Sequence, residues 1–233
     1  METRLSRNAT VAWEERTTVD TYRLHYFPES GNSYKLALML TLCGQTFESI
    51  WTDFGARVTW TPEWRRTINP MGEIPVLEVN GRKLTQTAPI LLQLAAQYEQ
   101  FGATNDAETY ELLRWLFWDN QKMSGGMATY RFLRTFTPKS DPAVLAWHLA
   151  RVKDYLGILE QHLGATTFVA CERLTIADIS MCAYLSYPMD ETGIDLTASY
   201  PNITAWLDRL MKMPGWKLPY ELLPGKRLQR WSA

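Results

Sequence analysis

Residues 24–36 read "LHYFPESGNSYKL": an apolar, aromatic run breaks at Pro28 and passes into a helical pattern through Ser30, Gly31, Asn32 and Ser33. Hydroxyls and amides are thus concentrated where a strand hands over to a helix. The first turn of a helix leaves backbone N–H groups unbonded and carries partial positive charge. Side-chain oxygens there can cap the helix, or the same end can bind an anionic group. Two more stretches carry chemistry of this kind. In "NPMGEIPVL" (69–77), Pro75 stands at the start of a strand, where its missing N–H costs no ladder bond. It marks either an ordinary turn into the strand or a cis bond that turns Ile74 outward, free to pair with an extended peptide. In "LTQTAPILL" (84–92), Gln86 and Thr87 lie at a strand-to-helix junction that can hold a carboxylate or simply start the helix with Thr87 as cap.

Elements that would position these residues follow from pattern. Arg23–Phe27 and Phe47–Asp53 read as short strands, and "SYKLALMLTLCG" between them reads as a helix stopped by Gly44. "VLEVNGRKL" (76–84) alternates on both sides of Asn80-Gly81, the signature of a type I′ hairpin. With the helix after Thr87, and a segment before the hairpin of open assignment, the first half reads β-α-β-(α)-β-β-α. Residues 101–107 are a polar linker, and no strand is expected beyond them. Four helical patterns follow: 108–123, a segment from Asp141 capped with Pro142 at its first position, "LTIADISMCAYL" with a Thr175/Asp178 capping box, and "YPNITAWLDRLMKMPGW" ended by Pro214-Gly215. "SGGMATYRF" suggests a bend, and the tail "ELLPGKRLQRWSA" a surface strap. Residues 1–20 read as a polar arm without the apolar stretch of a signal peptide.

Composition narrows the function. The 233 residues carry a formal net charge of −1, which gives no reason to expect nucleic acid or a membrane as partner. Three cysteines without CxxC spacing, and three histidines (His25, His148, His162) without metal spacing, argue against a disulfide scaffold or a metal site. They suit a reducing, cytoplasmic setting. Ten Trp and eleven Tyr leave aromatic rings enough for a pocket as well as a core.

Taken together, the β-α-β half, "IP" before the hairpin, "QT" opening a helix and "TIAD" in a helical half resemble the glutathione transferase family, over about residues 21–220. The resemblance implies a thioredoxin-like α/β domain (21–100) joined to an all-α domain (108–233). It implies that Ile74, beside a cis Pro75, pairs with the cysteinyl backbone of glutathione, and that Gln86 and Thr87 hold its γ-glutamyl carboxylate. Glu73 occupies a slot where relatives often carry Gln or Lys, leaving Arg65, Arg66 or Lys35 to meet the glycine carboxylate. The family's task is to hold glutathione as a thiolate, which a hydrogen-bond donor near the sulfur favours. Two alignments compete for that donor. "LHYF" is similar to the alpha and sigma classes and points to Tyr26. "PESGNSYK" is similar to bacterial, theta-like and lignin-ether-cleaving relatives and points to Ser30, with Asn32 or Ser33 close by. The Tyr-type classes follow with an Arg-Gly pair that this chain lacks. No Cys lies in the loop, which sets aside the branches that form a mixed disulfide. Trp118, Lys122, Met123, Tyr130 and Phe132 are the candidates for an apolar or aromatic electrophile. The expected activity is glutathione S-transfer in detoxification, by a homodimer without metal. The alternatives are a non-catalytic glutathione-binding scaffold, or a glutathione-dependent isomerase or ether-cleaving enzyme.

Overall fold

A computed structural model describes residues 20–231, so the arm expected over residues 1–20 lies outside the described residues except for its last position. The first half forms a four-stranded sheet in the order β2-β1-β3-β4, built from β1 (Tyr22–Tyr26), β2 (Glu48–Trp51), β3 (Val76–Val79) and β4 (Arg82–Thr85). β1 runs parallel to β2 and antiparallel to β3, and β3 pairs with β4 through the expected hairpin. Asn80 and Gly81 both take positive φ, 51° and 83°, as a type I′ turn requires.

Alternation along β1 sorts its two faces. Tyr22, Leu24 and Tyr26 are buried within the main core. His25 and Arg23 meet Glu78 of β3 at 2.8 and 2.9 Å, and the edge of the His25 ring meets Trp64 of α2 (Pro62–Thr67). That short helix fills the segment left open by the sequence pattern.

Helix α1 (Gly31–Leu42) is buried nearly all round, with Leu36, Ala37, Leu38, Met39 and Leu40 fully enclosed. A helix buried on nearly every face lies at the centre of the fold, not on its surface. α3 (Thr87–Tyr98) packs beside it, and the second half closes over the other side. A charged residue on such a helix needs a partner. Lys35 therefore reaches across to Asp119 and Ser124 at 2.9 and 2.7 Å, and is not free to meet a ligand carboxylate.

No strand is present beyond residue 85 among the described residues. α4 (Asp106–Trp118) does not end at a Gly-rich bend. It runs through a π-helical stretch (119–124), α5 (Gly125–Arg131) and a second π-helical stretch (132–136). Gly126 serves packing instead: a Cβ there would lie 3.0 Å from the Tyr155 ring of α6 (Pro142–Leu163). The capping box forms as expected at α7 (Ile176–Met181). Asp178 accepts from the Thr175 N–H at 2.9 Å and also from the Val169 N–H and Trp206 Nε1. Two short helices, α8 (Met189–Thr192) and α9 (Leu196–Ser199), precede α10 (Pro201–Met211), which buries Ile203, Trp206 and Leu210. The tail is more than a surface strap. It completes α11 (Pro219–Leu222), buries Leu223, and accepts hydrogen bonds from Tyr26 and Trp51 of the first half at Pro224 and Lys226.

The segment between α3 and α4 is pinned by Glu108, which accepts from Arg173 at 2.7 Å and from Thr104 at 2.8 Å. The Arg173 guanidinium first, and the Thr104 bonds next, hold the Glu108 carboxyl down at about 2. A carboxyl depressed on folding stabilises fully above its unfolded value, about 4.3, and loses that contribution as pH falls toward the folded value. Glu108→Gln is therefore expected to lower the melting temperature at pH 6, with the deficit vanishing as pH falls from about 4 to about 2. A deficit constant over that range in a thermal-melt series would refute this.

Candidate functional site

One cleft of about 580 Å³ collects residues from both halves. From the first half come Ser30, Asn32, Glu73, Ile74 and Gln86, and from the helical half Arg131 and Phe132. The Ile74–Pro75 bond is cis, and Ile74 sits at the cleft wall. Gly72 precedes this turn at φ 71°, a left-handed conformation that favours glycine, and the Arg65 guanidinium packs against it.

Ser30 both caps and faces the cleft. Its Oγ accepts from the Ser33 N–H at 3.0 Å, and it lines the cavity although only 3% exposed. A hydroxyl has one proton and two acceptor positions, so the cap leaves its O–H available to an anion. Asn32 lines the same wall. Ser33 is fully buried and does not line the cleft. The Tyr26 hydroxyl donates to the Pro224 carbonyl of the tail, and burial raises its pKa. Tyr26 also does not line the cleft.

At the other end, Gln86 takes φ 68° and ψ 114°, a region sparsely used by non-glycine residues, and it rather than Thr87 precedes the helix as its cap residue. Thr87 is the first, buried residue of α3. The Gln86 side chain makes no cap bond and instead donates to Glu73 at 2.7 Å. Strain of this kind costs about 1–3 kcal/mol and clusters at ligand clamps. Gln86→Gly is expected to raise stability by about 1 kcal/mol after glycine's own entropy cost, while weakening binding of a carboxylate ligand. Denaturant titration and calorimetry on the same variant check both halves of this expectation.

Of the other positively charged candidates, Arg66 pairs with Glu63 on the surface, and Arg65 packs at Gly72. Among the helical-half candidates only Phe132 lines the cleft. Met123 and Tyr130 are buried in the core, Trp118 packs on Trp115 and Tyr155, and the Lys122 ammonium lies 5.9 Å from the Tyr155 ring centre.

The cleft uses residues that local pattern did not single out. Phe27 stacks on Phe54 at 4.2 Å, and Phe54 meets Phe132 edge-on at 6.0 Å. Tyr184 closes behind Gly31, where a Cβ would lie 2.7 Å from its ring. Arg131, only 2% exposed, donates to the Glu29 carbonyl at 2.8 Å, pairs with Glu191 and stacks 3.6 Å over Tyr187. It thereby anchors the residue just before Ser30. Glu29 is held from the tail by Arg227 at 2.7 Å and the Leu228 N–H at 3.1 Å. No group of three or more metal-ligating side chains occurs among the described residues.

Comparison with known proteins places the fold in a family. The family model "Glutathione S-transferase, N-terminal domain" matches residues 24–102, and "Glutathione S-transferase, C-terminal domain" matches residues 126–214. A glutathione S-transferase of Drosophila melanogaster is 30% identical over 70% of this chain and 72% of its own. The crystal structure of a glutathione S-transferase from Pseudomonas fluorescens is 30% identical, covers 85% of this chain and 98% of its own, and superposes with a TM-score of 0.75. Ure2p in complex with glutathione shares the fold at 21% identity and TM-score 0.74, covering 84% of this chain and 96% of its own. With a donor-lined helix start, a cis-proline turn and a strained Gln86 facing one cleft, and both family models matched in order, the chain belongs to the glutathione transferase family.

Proposed function

We propose that this protein is a glutathione S-transferase that holds the thiolate at the start of α1 and delivers it to a small apolar or aromatic electrophile. The observation that carries this reading is that Ser30, Asn32, Ile74 and Gln86 share one cleft with Phe132. In this reading Gln86 and Thr87 receive the γ-glutamyl end, Ile74 beside Pro75 pairs with the cysteinyl backbone, and Ser30 with Asn32 faces the sulfur. A donor to the sulfur favours its ionised form. Holding both reactants in one cleft makes the attack effectively unimolecular. The thiolate sulfur attacks the electrophilic carbon, the new C–S bond forms, and the leaving group departs with its electron pair.

Steady-state conjugation of 1-chloro-2,4-dinitrobenzene tests the reading. A rate indistinguishable from the uncatalysed reaction, with glutathione binding still measurable by calorimetry, would leave a glutathione-binding scaffold in its place. Product analysis with isomerisable and aryl-ether substrates separates conjugation from the other thiolate chemistries.

We also propose a homodimer. Tyr110 and Phe117 of α4 are 68% and 72% exposed and lie two helical turns apart on one face, a patch that suits a second copy. Sedimentation at micromolar concentration should show the dimer, and Phe117→Glu should shift it to monomer. The three cysteines are free, which fits a cytoplasmic setting.

A further inference from the structure

A second cavity of about 730 Å³ adjoins the cleft and shares Phe27, Phe54, Trp60, Phe132 and Phe136 with it. Its size falls within the range of small-molecule sites, roughly 300–1,000 Å³. Trp60, Trp51, Trp231 and Phe132, which rank among the more exposed large apolar side chains of the described residues, all line this one cavity. Clustering of exposed rings in a concavity marks a ligand surface, whereas scattered ones do not.

The charges around it are unequal. Arg57 and Lys226 line the cavity, and neither has a carboxylate partner among the described residues. Arg227 also lines it but is paired with Glu29 and Glu191. Asp53 supplies the only carboxylate among the lining residues, and its Oδ1 accepts the Ala56 N–H at 3.0 Å, closing the turn. Arg57 is held at φ 57°, a left-handed conformation disfavoured for its side chain, with its guanidinium 5.1 Å from the Trp60 ring centre. The tail forms the opposite wall. Gly225 passes so close to Trp51 that a Cβ would lie 2.8 Å from the indole, and Trp51 Nε1 bonds to the Lys226 carbonyl at 3.3 Å.

We propose that this cavity selects a flat aromatic acid as the second substrate, with its ring between Phe54, Trp60 and Phe132 and its carboxylate toward Arg57 and Lys226. The inference rests on the transferase reading for the word substrate, but the binding site stands on the cavity alone. A neutral aromatic gains ring contacts only. An aromatic carboxylate gains in addition charge-assisted bonds to Arg57 and Lys226, which have no carboxylate partner among the described residues.

Calorimetry and quenching of tryptophan fluorescence, with 2-naphthoate and neutral 2-naphthamide as probes, test it on the full chain with and without saturating glutathione. Naphthoate should bind about tenfold more tightly than naphthamide. The double variant Arg57→Gln/Lys226→Gln should erase that preference while leaving naphthamide affinity and the melting temperature unchanged. Phe54→Ala should weaken both probes. Equal affinity for the two probes, or a double variant that keeps the preference, overturns the proposal. So does competitive displacement of naphthoate by glutathione, which would give the cations to the tripeptide. Naphthoate binding without any glutathione binding or conjugation supports the cavity assignment and sinks the transferase reading alone. Conjugation of a neutral halide without naphthoate binding does the reverse.

Discussion

Ser30→Ala is expected to lower the conjugation rate at neutral pH by about 10- to 100-fold. A free thiol ionises near pH 8.5, so only a few per cent is thiolate at neutrality. One hydrogen bond to a charged acceptor is worth about 1.5–3 kcal/mol, or about one to two pKa units. Ser30 Oγ spends an acceptor position on the Ser33 N–H and keeps its proton for the sulfur. Removing it should raise the pKa of bound glutathione, because the charged form loses its donor. The pH–rate profile should then shift upward by about one to two units, and much of the lost rate should return at alkaline pH. The cap is a confounder, since Ala at this position costs about 0.5–2 kcal/mol of stability. Ser30→Gly separates the two roles, because glycine retains most of the cap energy but has no hydroxyl. Both variants should show the same shifted profile, whereas Tyr26→Phe should leave it in place because that hydroxyl is committed to Pro224. An unshifted profile in both Ser30 variants would transfer the role to Asn32.

Asp119→Ala is expected to cost about 3–5 kcal/mol, the penalty for leaving a buried charge uncompensated. Lys35 and Asp119 have side-chain exposures of 1% and 0%. Asp119 also accepts from Ser124 at 2.8 Å and Ser180 at 2.5 Å. The network joins α1 of the first half to three positions in the second half. For a chain of this length the melting temperature should fall by roughly 6–20 °C. Replacing both partners with apolar residues, Lys35→Met/Asp119→Leu, should recover most of the loss, since a buried pair is worth little against a well-packed apolar isostere. Thermal and denaturant unfolding of the single and double variants measure the coupling. A double variant no more stable than Asp119→Ala would show that the hydrogen bonds of Ser124 and Ser180, rather than the charge of Lys35, set the cost.

Several features were legible in local sequence because their physics is local. Asn80-Gly81 can adopt positive φ cheaply, so the hairpin follows from two residues. Thr175 and Asp178 satisfy helix-start donors three residues apart. Ser30 caps the N–H of Ser33 by the same rule. The Gly-rich stretch at Gly125-Gly126 misled for the opposite reason. Glycine there answers to the Tyr155 ring on another helix, and nothing within the stretch records that neighbour. Lys35 misled likewise: its charge is evident in sequence, its buried partner 84 residues away is not.

The helix-start donors, the hairpin, the capping box and the order of strands and helices were determined by the sequence alone, since each depends on backbone conformations and hydrogen bonds a few residues apart. Which donors meet in the cleft was decided only by the tertiary structure. Folding brings Phe54, Trp60, Arg131 and Phe132 to face Ser30 and Ile74, while it turns Tyr26 to the tail and closes Met123 and Tyr130 into the core. A cleft between two packed units depends on contacts far apart in the chain, and no period of three or four residues encodes them.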